Sequence, residues 1–258
     1  MQFLRWKAIC AVVLCAPLLA AAQQQPSDYK REKRWADEVV PALVSGEAVW
    51  LEAPRTEKFL GIYTEAKSAE AKNAKGAIIL AHGLGVHPDY GLIGELRTRL
   101  ADAGYTTLSI QMPILAADAP ATRYPVLFWE ADARFAAAMS YLRRKGYNKV
   151  VILSHSMGSR MANHYISAHS LVPLSGWVSL SISNGDFAPI KRIKFPIYDV
   201  YAEKDLDAVL QGAPKRAAML KRMRGSSQSM VFATDHFFAK REKELVTLIR
   251  LLLEGEKK

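Results

Sequence analysis

The chain has 258 residues, half of them hydrophobic, so it can bury a sizeable core; its 15 Gly and 12 Pro exclude a collagenous or wholly disordered polymer. Against 25 Asp and Glu stand 35 Lys and Arg, a net charge of +10. The basic clusters (Arg143-Arg144-Lys145, Lys191-Arg192-Ile193-Lys194, Lys215-Arg216 and Lys221-Arg222-Met223-Arg224) fall at expected helix ends and loops, and none interleaves with aromatics, so no nucleic-acid partner is expected.

Residues 1–22 have the layout of an export signal. Arg5 and Lys7 precede an apolar run from Ala8 to Ala20, and Ala20-Ala21-Ala22 offers small residues for cleavage near Ala22. A membrane span needs about 20 apolar residues, and Pro17 interrupts this run. Cys10 and Cys15 both lie in the signal; Val13-Leu14-Cys15 is a poor lipid-attachment match, and the mature chain needs no oxidative folding. The expected location is the periplasm or envelope of a bacterium, where the basic charge suits weak association with an anionic surface.

Residues 23–46 are polar and read as a flexible lead with one short helix around Lys30–Leu43, ahead of a single domain over 47–258. Ala48–Ala53 and Lys58–Thr64 form an expected hairpin around Pro54. From Gly76 strands and helices alternate. Ala77–Ala81 is an unbroken apolar run, as in a strand covered on both faces. A helix over Gly91–Ala103, a strand over Thr106–Ile110 and a helix over Val126–Lys145 follow, the last with Leu127, Ala131, Phe135, Ala138 and Leu142 at helical spacing. Then come a strand Val150–Leu153, a helix Met157–Ala168, and strands Trp177–Ser181, Ile197–Tyr201 and Met230–Ala233. A C-terminal helix aligns Phe238, Leu245, Leu248, Ile249 and Leu252. Gly104, Gly146 and Gly225 sit between a helix and a strand, where a left-handed cap favours glycine. This order implies an α/β architecture, a mostly parallel central sheet with helices on both faces.

The chemistry concentrates where Val150–Leu153 runs into Ser154-His155-Ser156-Met157-Gly158. A strand entering small-x-Ser-x-Gly and leaving as a helix is a nucleophile elbow, in which a sharp turn exposes Ser156 and small neighbours let the backbones pass. Ser154 stands where glycine is usual; an ordinary helix N-cap would also use Ser. A serine nucleophile needs a base and an orienting carboxylate, in the chain order Ser, acid, His. Asp205 follows the Ile197–Tyr201 strand, with Glu203, Asp207 and Asp186 as alternatives, and His236 is the one histidine beyond that strand. His236 is expected at the start of the last helix. Backbone amides of Met157 and Leu84, the latter in Leu80-Ala81-His82-Gly83-Leu84-Gly85, are placed to bind an oxyanion. His82 reads as a loop-ordering residue rather than a base.

These pieces, with the Gly104–Pro113 strand segment and Asp235-His236-Phe237-Phe238, resemble the α/β-hydrolase superfamily, closest to exported bacterial members defined mainly by sequence. The resemblance implies the α/β-hydrolase fold and a serine-hydrolase triad, here Ser156, Asp205 and His236. Ser181 to Ile197 is too short for a large cap domain, so the pocket wall is expected at Gln111–Phe128, with Tyr124, Phe128 and Phe237 as pocket residues. No metal or cofactor signature is present: Gly83-x-Gly85 lacks the third dinucleotide glycine, and there is no His-Glu-x-x-His. The expected protein is an exported ester hydrolase whose partner is a small-molecule acyl substrate. A non-catalytic binding protein of the same fold is the alternative, and the triad discriminates the two.

Overall fold

The computed structural model describes residues 25–67, 76–169, 171–183, 187 and 193–255. The expected signal, with Cys10 and Cys15, and the alternative acid Asp186 lie outside them. The strands are β1 (Glu47–Leu51), β2 (Phe59–Thr64), β3 (Ala77–Ala81), β4 (Thr106–Ile110), β5 (Val150–His155), β6 (Gly176–Leu180), β7 (Ile197–Lys204) and β8 (Ser227–Asp235). The helices are α1 (Tyr29–Val39), α2 (Gly91–Asp102), α3 (Phe128–Arg144), α4 (Met157–Ala168), α5 (Asp207–Leu220) and α6 (Glu242–Glu254). Among the described residues the strands form one sheet in the order β1-β2-β4-β3-β5-β6-β7-β8. The β1–β2 and β2–β4 pairs are antiparallel and all later neighbours are parallel, as the βα alternation implies.

Alternation along the buried strands divides the core. Ile79 of β3 and Ile152 of β5 face one side, packing with Phe135, Ala138 and Leu142 of α3 and Met161 and Ile166 of α4. Ile78, Leu80 and Leu153 face the other, against Leu92, Leu96 and Leu100 of α2 and Leu245 and Ile249 of α6. Gly104, Gly146 and Gly225 take φ of 94°, 93° and 76°, the left-handed caps that their positions require.

Four expectations change. The lead expected to be flexible is docked over its described residues through α1: Arg31 donates to the Gly85 and Leu115 carbonyls at 3.0 Å each, and Glu32 pairs at 3.0 Å with buried Arg134, which also holds Glu130. Its polar residues find buried partners far along the chain, which composition does not reveal. Lys215-Arg216 is not a helix end: it lies within α5, where buried Arg216 donates to Asp199 at 2.8 Å. β8 starts earlier than its apolar residues suggest, because Ser227, Gln228 and Ser229 pair with β7. Finally, α6 begins at Glu242, not near His236, because Phe238 and Lys240 take φ of 54° and 64° and hold a turn before it.

Candidate active site

The parallel strands deliver their following loops to one sheet edge, the usual position of ligand sites in open α/β sheets. Ser156 follows β5, Asp205 follows β7 and His236 follows β8. Ser156 has φ 53° and ψ −115°, a strained backbone for a residue with a Cβ. The close crossing that imposes it is visible at Gly158, where an added Cβ would lie 2.4 Å from the His82 carbonyl oxygen and 2.6 Å from that of Ala81. Gly83 approaches from the β3 loop, so a Cβ there would come within 3.4 Å of the Ser156 Cβ.

Ser154 fits the elbow through partners the motif does not encode. Its buried hydroxyl accepts from Trp177 Nε1 at 2.8 Å and lies 3.0 Å from Ser159 Oγ, which donates to the Ser154 carbonyl at 2.8 Å.

The structure brings Ser156, His236 and Asp205 together. Ser156 Oγ lies 2.9 Å from His236 Nε2, and His236 Nδ1 lies 2.6 Å from Asp205 Oδ1. With the proton on Nδ1 donated to the carboxylate, Nε2 is left to accept from the serine hydroxyl. Asp205 Oδ2 also accepts from the Ser181 hydroxyl at 2.5 Å and the Ala202 amide at 3.0 Å, and Oδ1 from the Leu206 amide at 2.8 Å. Burial works to raise the Asp205 carboxyl pKa, but these donors, led by His236 and Ser181, outweigh it and hold the group below its ordinary range. Glu203 instead accepts from the Ala233 amide at 2.9 Å, and Asp207 occupies the first turn of α5.

Two further histidines frame the site. His82 Nε2 accepts from the Met112 amide at 2.9 Å, so its Nδ1–H donates to the Gly83 carbonyl at 2.9 Å; burial pushes its pKa down to about 3. It orders the loop as a neutral ring. His155 Nε2 donates to the His236 carbonyl at 2.9 Å, with ring centroids 4.8 Å apart. Burial, then the neighbouring His236, lowers it to about 4. Sequence order excluded His155 as the base but did not reveal this anchoring role; nor did any motif mark Ser181, whose φ of 51° at the end of β6 turns it toward Asp205.

Met157 is the first residue of α4, so its amide has no carbonyl partner within the helix. A cleft of about 760 Å³ opens beside Ser156, His155 and His236, lined by Gly83, Leu84, Val86 and Tyr90, by Gly91, Leu92 and Ile93 of α2, and by Leu206 and Phe237. Of the expected pocket residues only Phe237 lines it. Tyr124 is buried, its hydroxyl accepting from the Leu115 amide at 3.4 Å, and Phe128 opens α3 with its ring 5.4 Å from His164 on α4. The 3₁₀ turn Ala121–Leu127 tucks Tyr124 inward, so the wall is the 83–93 segment instead of Gln111–Phe128.

The chain has the α/β-hydrolase fold, and no cap domain is evident among the described residues. A serine hydrolase without a lid from Xanthomonas campestris superposes with a TM-score of 0.66 at 13% identity, over 82% of this chain and 95% of that one. The dienelactone hydrolase of Anabaena variabilis gives 0.65 at 18%, over 81% and 97%, and an esterase of Pyrococcus furiosus 0.62 at 11%, over 81% and 92%. A family described as protein of unknown function (DUF3530) matches residues 6–127, a stretch that ends before Ser156. No curated protein matches the chain.

Proposed function

We propose that the protein is an exported serine hydrolase acting on carboxylic esters. The observation that supports it is the continuous series from the hydroxyl of Ser156, whose backbone is strained, through His236 to Asp205. In this reading Ser156 Oγ attacks the ester carbonyl as its proton passes to His236 Nε2, while the Met157 and Leu84 amides receive the oxyanion. The C–O bond to the alcohol then breaks, and the alcohol leaves with the proton from His236. Water, deprotonated by the same nitrogen, attacks the acyl-enzyme and releases the acid with Ser156 restored. Asp205 keeps the Nδ1 proton in place and stabilises the imidazolium formed in each half.

The deciding experiment is labelling with a fluorophosphonate probe. Wild-type protein is expected to label stoichiometrically and Ser156→Ala not at all; equal labelling of the two would remove Ser156 from the chemistry. Export is tested separately, by mass spectrometry of the N-terminus of protein from its native envelope fraction. A terminus near residue 23 is expected, and an intact Met1 on cytoplasmic protein would sink this half of the proposal.

A further inference from the structure

The cleft beside Ser156 presents apolar side chains almost throughout: Leu84, Val86, Leu92, Ile93, Leu206 and Phe237. The side-chain polar atoms on its wall are those of Tyr90, His155, Ser156 and His236, and the last three are engaged with one another or with Asp205. Among the described residues no Lys, Arg, Asp or Glu lines it. A charged substrate group entering it would lose water and gain no counter-ion, a large penalty. Leu84, Tyr90, Leu206 and Phe237 are meanwhile left exposed around the cleft that holds the nucleophile. Exposed apolar groups clustered in a concavity mark a binding surface for an apolar ligand. The volume of about 760 Å³ is ample: at roughly 30 Å³ per water-sized group, eight carbons fill about a third of it.

We infer that the substrate is an uncharged ester whose aliphatic acyl chain, of medium length, lies in this cleft while Ser156 attacks. The inference rests on the hydrolase reading above and names its substrate class. It is tested with p-nitrophenyl esters from acetate to octanoate, alongside the mono-p-nitrophenyl ester of succinate as a charged acyl group of butyrate-like length. The expected kcat/KM rises about two- to fourfold per methylene, as buried methylenes contribute, so at least about tenfold from acetate to hexanoate. The succinate ester is expected about 100-fold or more below butyrate. Leu206→Lys, at an exposed wall position, narrows that gap by supplying the missing counter-charge.

A flat chain-length profile, or succinate turned over as well as butyrate, overturns this inference and leaves the hydrolase reading standing. Absence of turnover on every ester counts against the hydrolase reading instead. The cleft chemistry is then decided by calorimetric binding to Ser156→Ala protein. Octanamide is expected to bind at least about tenfold more tightly than the monoamide of octanedioic acid; parity or the reverse order overturns the inference.

Discussion

Asp205 shows how much of a residue's role comes from what surrounds it. Three acidic side chains lie within five residues at the end of β7 and just beyond it, yet only Asp205 meets His236, at 2.6 Å, with Ser181 and the Ala202 amide fixing its other oxygen. Asp205→Asn is expected to lower kcat by about 10⁴-fold with the fold intact, because the imidazole tautomer is lost. Glu203→Gln and Asp207→Asn should stay near wild type; kinetics on an activated ester check all three. In the same assay, the double variant Ser156→Ala, His236→Ala should be scarcely slower than either single one, since groups acting as a unit do not lose rate additively. Ser154 supports the opposite of a motif-based expectation. Ser154→Gly restores the commoner elbow sequence but strands the buried Trp177 indole N–H, so urea unfolding should show a loss of about 1–3 kcal/mol.

At the scale of elements, α1 braces the loop expected to hold the oxyanion. Arg31 grips the Gly85 carbonyl one residue beyond Leu84, its guanidinium lies 4.5 Å from the Trp35 ring centroid, and Trp35 in turn packs on His87 at 5.6 Å. From the other side, His82 ties the same loop to the Met112 amide after β4. Arg31→Ala should therefore lower kcat by about tenfold to a hundredfold with a smaller change in KM, as a loosened donor misplaces charge stabilisation without removing the cleft. Hydrogen exchange should show faster exchange at residues 83–87. Unchanged exchange with unchanged kcat would refute the brace. The elements themselves were largely legible: β3 and β5 as apolar runs and α3 as a periodic stripe, because burial on both faces or on one helical face demands those patterns. The docking of α1 was not, since its contacts are polar and pair residues such as Glu32 and Arg134 across most of the fold.

Over the whole molecule, buried neutral histidines tie stability to pH. His82 and His155 are held down to about 3 and about 4, chiefly by burial, against an ordinary value near 6.5 once unfolded. Their stabilisation is full above pH 6.5 and is lost as pH falls toward the folded values, because the unfolded chain then takes up the protons. Burial raises the carboxyls of Glu32, Asp132 and Asp199, which act in the opposite sense, so the informative quantity is a difference. Between pH 6.5 and 4.5, wild type should lose on the order of 2 kcal/mol more stability than His155→Gln, which keeps an N–H for the His236 carbonyl. Denaturant unfolding at the two pH values measures it; equal losses would show that His155 binds its proton as readily folded as unfolded.

The sequence by itself determined the alternating strands and helices, the elbow at Ser156, and the order in which an acid and a histidine follow it. Those features are local: strand burial, turn sterics and chain order are written in neighbouring residues. Only the tertiary structure decided which acid reaches His236, what satisfies Ser154, that α1 clamps the Gly83–Gly85 loop, and that the wall beside Ser156 comes from residues 83–93, Leu206 and Phe237 rather than from Tyr124 and Phe128. Each of these depends on side chains meeting across the sheet edge, between loops separated by tens of residues. That meeting is set by how the strands order and twist, and no local pattern carries it.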